Sequence, residues 1–285
     1  PISRLEDAYS RYLELPYVLA LGAGGTGALI AGLVGLGVGS GDEVLVPGYT
    51  YIATAAACLS VGAIPILIEV DESLTMDPTD AEAKISEHTV AMIPVHMRGF
   101  PAAMDRLMAL ARRHDLKVLE DVAQANGGSY DGVPLGSIGD AGAFSFQHYK
   151  AITAGEGGLL ATSNERVYRR AAIKHDSAMQ FWRSDQEWES FAGENYRMCE
   201  LRAALGLAQF DRLPGILERC RRNKRRLLDR ISDLEKITPA RQNDRYGDCG
   251  FVVAFYLPTP EEAREFGGAL AAEGVPNGTI YNKRI

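Results

Sequence analysis

Apolar and polar positions divide the first two-thirds of the chain into short, mostly apolar runs and longer helical stretches. The runs Tyr17–Leu21, Val44–Val46, Ile64–Val70, Val90–Val95 and Lys117–Glu120, followed by Ala141–Phe146 and Gly158–Ala161, predict seven β-strands. Strands that are apolar throughout are buried on both faces, the mark of a mainly parallel sheet sandwiched by helices. The spacers Thr26–Leu36, Ile52–Ser60, Thr79–Ile85, Met104–His114 and Glu165–Ala172 predict the helices that parallel crossovers require. Beyond Lys174 the pattern changes. Ala178–Glu194 is polar and aromatic with little periodicity and reads as a surface excursion. A helical region from Glu200 to about Leu234 carries Pro214, expected to break or kink it. Phe251–Leu257 and Pro260–Glu273 predict a last strand and helix. The expected architecture is α/β, with a large domain over residues 1–215 and part of a smaller C-terminal α/β domain over 216–285. The opening at Pro1 and the unfinished second domain lead us to expect further chain at both ends.

Composition narrows the function. Hydrophobic residues make up 46% and charged residues 24%, as in ordinary globular proteins. An excess of 37 acids over 30 lysines and arginines argues against a nucleic-acid binder, whose affinity comes from neutralising phosphates. The basic cluster Arg219, Arg221, Arg222, Lys224, Arg225, Arg226 then reads as a solvated helix face. Apolar runs fall far short of the ~20 residues that span a bilayer. Cys58, Cys199, Cys220 and Cys249 are scattered without a C-x-x-C pair. They read as reduced thiols of a cytoplasmic protein, with no disulfide framework and no metal site.

Gly22-Ala-Gly-Gly-Thr-Gly27 fits G-x-G-x-x-G between a strand and a helix, the form of a dinucleotide-binding turn. That reading also needs an acid at the end of the second strand to hold the ribose. Here the second strand ends in Pro47-Gly48-Tyr49-Thr50, while Asp42 and Glu43 lie at its start. What remains is a phosphate cradle of backbone N–H groups and a hydroxyl at a helix N-terminus.

Two further segments carry chemistry. Lys117-Val-Leu-Glu-Asp-Val-Ala-Gln places Asp121 and Gln124 just past the carboxyl end of a buried strand, where a lone carboxylate is costly. Phe144-Ser-Phe-Gln-His-Tyr-Lys150 leads into the glycine turn Gly155–Gly158, a setting in which a lysine becomes an uncharged, nucleophilic amine. A strand-end aspartate, a Ser-x4-Lys and a phosphate-binding helix start together suggest pyridoxal 5'-phosphate. The lysine condenses with the cofactor aldehyde and shuttles a proton, and the aspartate keeps the pyridine nitrogen protonated. Ser145 and the Gly25–Thr26 turn would hold the phosphate.

The sequence resembles the DegT/DnrJ/EryC1/StrS aminotransferases, fold type I pyridoxal phosphate enzymes acting on keto-sugars. The resemblance runs through Gly25-Thr-Gly-Ala-Leu, Gly41-Asp-Glu-Val-Leu-Val-Pro, Tyr49-Thr-Tyr-Ile-Ala-Thr, Pro94-Val-His, Glu120-Asp-Val-Ala-Gln-Ala, Gly139-Asp-Ala-Gly-Ala-Phe-Ser-Phe, Lys150–Gly158 and Glu194-Asn-Tyr-Arg-Met. It implies that Lys150 is the Schiff-base residue and Asp121 the partner of the pyridinium nitrogen. Gln124 would lie near the phenolic oxygen and Tyr51 would stack on the ring. Ser145, Gly25 and Thr26 would bind the phosphate, joined by Asn195 from the neighbouring subunit of a homodimer. The implied reaction moves an amino group from glutamate or glutamine to a keto-sugar, nucleotide-linked or a sugar acid, in amino-sugar biosynthesis. Relatives with histidine in place of the lysine catalyse dehydration; Lys150 favours transamination. Two departures stand out: Gly24 replaces the usual serine of the phosphate turn, and Lys174-His-Asp-Ser177 replaces Asn-His-Gly. Leu257-Pro-Thr and Arg222-Asn-Lys resemble members that aminate an octulosonate sugar acid.

Some residues keep two readings. His96 is either a contact near substrate or a hydrogen-bonded core histidine, and Arg197 holds either an acidic substrate group or a structural ion pair. Two rival functions also stand: a nicotinamide-dependent dehydrogenase built on Gly22–Gly27, and a non-catalytic regulator that keeps the cofactor site.

Overall fold

The computed structural model describes residues 1–177, 189 and 191–278, so most of the expected excursion Ala178–Glu194 lies outside the described residues. Seven strands form one sheet: β1 (Tyr17–Leu21), β2 (Glu43–Pro47), β3 (Ile64–Ile68), β4 (Thr89–Met92), β5 (Lys117–Asp121), β8 (Ala141–Ser145) and β9 (Gly158–Thr162). Their order is β1-β9-β8-β5-β4-β2-β3. Strand β9 runs antiparallel to both neighbours and the other six strands run together, so the sheet is mainly parallel as expected. A small hairpin, β6 (Ser129–Tyr130) with β7 (Val133–Pro134), stands apart from the sheet.

Apolar runs supply both faces, because successive side chains alternate. On one face Leu19, Leu21, Val44, Val46, Leu119 and Leu160 pack under helices α2 (Gly24–Leu36) and α6 (Glu165–His175), with Ala57 and Cys58 of α3 (Ala53–Ser60). On the other, Val18, Ala20, Phe144 and Leu159 meet Leu5, Tyr9 and Leu13 of α1 (Ile2–Leu13) and Leu213 and Leu217 of a C-terminal helix. Farther along that face α4 (Pro78–Ala83) and α5 (Met104–His114) cover Leu45, Met92 and Val118. Helix α2 lies close to the sheet because it is rich in small residues. A Cβ on Gly32 would come within 2.8 Å of Leu119, and one on Gly35 within 2.7 Å of the Val167 carbonyl.

Several boundaries depart from the sequence reading. Pro94 lacks an N–H and ends the fourth strand early, leaving only a single bridge from Val95 to Asp121. The long helical region divides into α7 (Glu200–Phe210) and α8 (Leu213–Ile231). The break therefore falls before Pro214, which sits in the first turn of α8, where its missing N–H costs nothing. The expected strand Phe251–Leu257 shrinks to β11 (Phe255–Tyr256), paired only with β10 (Thr238–Pro239), a partner in which Pro239 cannot donate. Helix α9 (Pro260–Ala272) follows. The expected boundary at residue 215 lies inside α8, whose Leu217 packs in the same core as α1.

Candidate active site

Register across the sheet brings the sequence-derived residues to one edge. Leu21 pairs with Gly158, Gly158 with Ser145, and Ala143 with Asp121, so the turn after β1, the start of β9 and the ends of β5 and β8 lie side by side. Ligand sites of open α/β sheets form outside the carboxyl ends of the strands.

Asp121 ends β5 and is 5% exposed. Its backbone N–H donates to Pro94 and its carbonyl accepts from His96, tying it to the segment after β4. Oδ1 accepts the Ala123 N–H at 3.0 Å and Oδ2 accepts the Thr54 hydroxyl at 2.9 Å. Thr54 is fully buried and has one proton to give, so the Thr50 hydroxyl at 2.8 Å is the donor of the next bond, making a relay from Thr50 through Thr54 to Asp121. Burial pushes the Asp121 carboxyl above its ordinary range; the Ala123 and Thr54 bonds and the charge of Lys150 oppose that shift only in part. Lys150 sits in the turn after β8, its N–H bonded to the Gln147 carbonyl. Burial lowers its amine's affinity for protons, Asp121 raises it, and the Arg98 guanidinium lowers it again.

The first turn of α2 crosses the end of β8. Ser145 is 4% exposed, and a Cβ on Gly25 would lie 3.0 Å from its Cβ and 3.4 Å from its Oγ. A Cβ on Gly158 would come within 2.3 Å of the Gly24 carbonyl, so glycine at both points lets the helix start reach the sheet edge. The cap residue Ala23 offers no side-chain acceptor, and Thr26 is exposed beside it. Gln124 Oε1 accepts the Arg98 N–H at 3.3 Å, which leaves its amide N–H groups for another partner.

Tyr51 and Asn195 stand differently. The Tyr51 side chain is 66% exposed just before α3, although its carbonyl accepts the Thr54 backbone N–H at 3.1 Å. Asn195 is exposed and forms a backbone bridge with Asp176, one residue before Tyr196, whose carbonyl accepts the Gly22 N–H at 2.6 Å. Of the two readings of His96, the geometry fits the core one. His96 Nδ1 accepts the Ala102 N–H at 3.1 Å, so Nε2 carries the proton and donates to Glu120 at 3.0 Å, with both side chains fully buried. Arg197 pairs with Asp176 at 2.8 Å, an ion pair within one chain.

Sequence reasoning missed Thr50, Thr54, Tyr49 and Arg98. The two threonines stand four apart at a predicted helix start, a spacing that could have flagged them; Arg98 carries no comparable sign. The dinucleotide reading loses its geometry. Strand β1 lies at the edge of the sheet beside antiparallel β9, whereas such cofactors bind at a central switch in strand order. Among the described residues no three His, Cys, Asp or Glu side chains are placed to share a metal ion, and no helix is long and apolar enough to cross a membrane.

The donor set suits a ring that bears a phosphate and a basic nitrogen. Glycine-lined N–H groups and Ser145 await an anion, while a buried carboxylate has only neutral hydrogen-bond donors and gains from a cationic partner.

Comparison with known proteins agrees with this chemistry. The family model of the DegT/DnrJ/EryC1/StrS aminotransferases matches residues 1–285. GDP-perosamine synthase of Caulobacter vibrioides is 39% identical over 213 residues, 74% of this chain and 57% of that protein. L-glutamine:2-deoxy-scyllo-inosose aminotransferase of Streptomyces paromomycinus is 35% identical over 295 aligned positions, covering 98% of this chain and 69% of the relative. The chain thus spans 57% to 69% of the length of these two curated relatives. Among solved structures, the aminotransferase from Psychrobacter cryohalolentis superposes with a TM-score of 0.88 at 30% identity, over 96% of this chain and 75% of that one. DesV of S. venezuelae, solved in complex with a ketimine intermediate, gives 0.86 at 31% identity, over 96% and 72%.

Proposed function

The chain belongs to the DegT/DnrJ/EryC1/StrS aminotransferase family, and from that premise we propose that it is the core of a pyridoxal phosphate-dependent aminotransferase of amino-sugar biosynthesis. The observation that carries the reading is the convergence, at one sheet edge, of buried Asp121, the partly buried Lys150 amine and the Gly25–Ser145 cradle. The bound cofactor supplies an electrophilic carbonyl and a ring that accepts electrons.

The protein's own residues have distinct tasks. Ser145 Oγ and the first-turn N–H groups at Gly25 and Thr26 bind the phosphate, helped by the positive end of α2. Asp121 holds a proton on the ring nitrogen, and the Thr50–Thr54 relay with the Ala123 N–H fixes the carboxylate's orientation. Gln124 donates from its amide to the phenolic oxygen, and Tyr51 covers the ring. Lys150 Nζ, biased by burial toward its uncharged form, anchors the cofactor and then carries the proton at the α-carbon of the amino donor.

The donor is glutamate or glutamine and the acceptor a keto-sugar, nucleotide-linked or acidic. A relative named GDP-perosamine synthase supports a nucleotide-linked acceptor, and one named L-glutamine:2-deoxy-scyllo-inosose aminotransferase supports glutamine as donor. The working unit is a homodimer in which Asn195 reaches the phosphate of the neighbouring site. Four free cysteines without a disulfide are consistent with a cytoplasmic setting.

Visible absorption of the purified protein, with and without glutamate or glutamine, tests the reading. The expected result is a yellow band bleached by the donor and trapped on Lys150 by borohydride, as mapped by mass spectrometry. Lys150→Ala should lose turnover by several orders of magnitude. Full activity in that variant, or a colourless protein that takes up no cofactor, would sink the proposal.

A further inference from the structure

Arg98 lies in the turn Met97–Gly99, just after His96, with a backbone φ of +61°. A side chain other than glycine is uncommon in this left-handed region, and such strain gathers at functional sites. Two bonds hold it there. The Arg98 N–H donates to Gln124 Oε1 at 3.3 Å, and its Nε donates to the Tyr49 hydroxyl at 3.1 Å. The residue is half-buried, and its charge acts on Lys150. Among the described residues its guanidinium meets no carboxylate at ion-pair distance.

Other partly enclosed arginines are matched. Arg169 pairs with Glu165, Arg170 with Glu189, and Arg221 is held by the carbonyls of Asp248, Gly127 and Gly247. Arg98 instead leaves a half-buried guanidinium that meets no carboxylate among the described residues, an arrangement that favours the arrival of an anion.

We infer that Arg98 is the residue that binds the carboxylate of the amino donor. The inference rests on the aminotransferase reading and adds the substrate contact that reading leaves unassigned. The donor's carboxylate is bonded directly to the carbon at which Lys150 moves a proton, so its partner must act near Lys150; the Arg98 backbone is bonded to Gln124, and its charge acts on Lys150. Phosphates of a nucleotide-linked acceptor lie several bonds farther from the reacting carbon. The planar guanidinium, turned by the Tyr49 bond through Nε, keeps its terminal N–H groups for a two-point contact with a carboxylate.

The test uses the cofactor-loaded protein and its Arg98→Met and Arg98→Lys variants. Glutarate, an unreactive dicarboxylate, and UDP, a probe of an acceptor's diphosphate, are titrated by calorimetry. Borohydride trapping on Lys150 and the melting temperature report an intact site. Losing a charge-assisted contact should weaken glutarate binding about ten- to a hundredfold in Arg98→Met, with UDP binding unchanged and partial recovery in Arg98→Lys. The KM for glutamate should rise by a similar factor with the acceptor KM unmoved, a split that a merely structural residue would not produce. Unchanged glutarate affinity in an Arg98→Met protein that still traps at Lys150 would overturn the inference alone. Loss confined to UDP would assign the guanidinium to the acceptor and overturn it equally. Absence of any Lys150 adduct in the wild-type protein would overturn the aminotransferase reading and this inference with it.

Discussion

Burial pushes both Asp121 and Lys150 toward their uncharged forms, and those shifts have a measurable consequence in the apoprotein. The folded-state pKa of Asp121 lies above its ordinary 3.8, so its contribution to stability is fully present below 3.8 and is lost as pH rises through the raised value. Lys150 runs the other way: its folded pKa lies below 10.5, so its contribution is present above 10.5 and is lost as pH falls through the lowered value. Near neutrality both groups therefore weaken the fold. Asp121→Asn should relieve part of this, because Thr54 can turn its proton to the Tyr51 carbonyl at 3.2 Å and accept from the new amide. Calorimetry of the apoprotein should find the variant more stable at pH 8, by a few degrees at about 2 °C per kcal/mol, with the gap closing in acid. Catalysis in the loaded enzyme should fall by orders of magnitude; a variant less stable than wild type at pH 8 would show that the neutral donors fully compensate the carboxylate. Asp121, Ser145 and Lys150 were legible in the sequence because few other roles suit those residue types at strand ends. Thr54 and Arg98 were not, since a threonine in a helix and an arginine in a turn acquire meaning only from what the fold sets beside them.

Helix α2 shows how an element positions chemistry through what it lacks. Its small residues let it settle on Leu119 and Leu160, and its first turn then meets Ser145 at the sheet edge. Gly25→Ala would place a methyl group 3.0 Å from the Ser145 Cβ and 3.4 Å from its Oγ, crowding the proposed phosphate cradle. The expected outcome is cofactor affinity about tenfold weaker, read by absorption titration, with a destabilisation of only about 1–2 kcal/mol. Unaltered affinity would show that the phosphate lies elsewhere. The elements themselves were largely readable, because continuous apolar runs mark buried strands whatever their neighbours. Strand direction was not. Gly158–Thr162 is as apolar as the parallel strands, and its reversal follows from the short return out of the Lys150 turn, which leaves no room for a crossover helix. Helix α1 was also overlooked, although Leu5, Tyr9 and Leu13 repeat at helical spacing and seal one face of the sheet.

At the scale of the whole molecule, a single chain leaves several large apolar side chains uncovered. Tyr51, Ile52 and Leu59 on and before α3, and Leu67 on the edge strand β3, are all more than half exposed, an apolar surface that favours a partner. Tyr51, expected to cover the ring, belongs to that surface, and Asn195 is exposed as well. A two-fold dimer would bury this surface and exchange residues between sites, since a contact from one chain to its partner is repeated in reverse. This arrangement makes a complementation experiment decisive. Lys150→Ala and Asn195→Ala proteins, each nearly inactive as a homodimer, are mixed after reversible dissociation. If Asn195 acts across the interface, each mixed dimer has one site with both defects and one with neither. An equal mixture should then recover about one native site in four, seen as restored turnover and as donor bleaching of that share of the cofactor. If Asn195 serves its own chain, every Lys150-containing site in the mixed dimer keeps the asparagine defect and no activity returns. Recovery would therefore establish both the dimer and the shared site, and its absence in mixed dimers verified by mass spectrometry would confine each site to one chain.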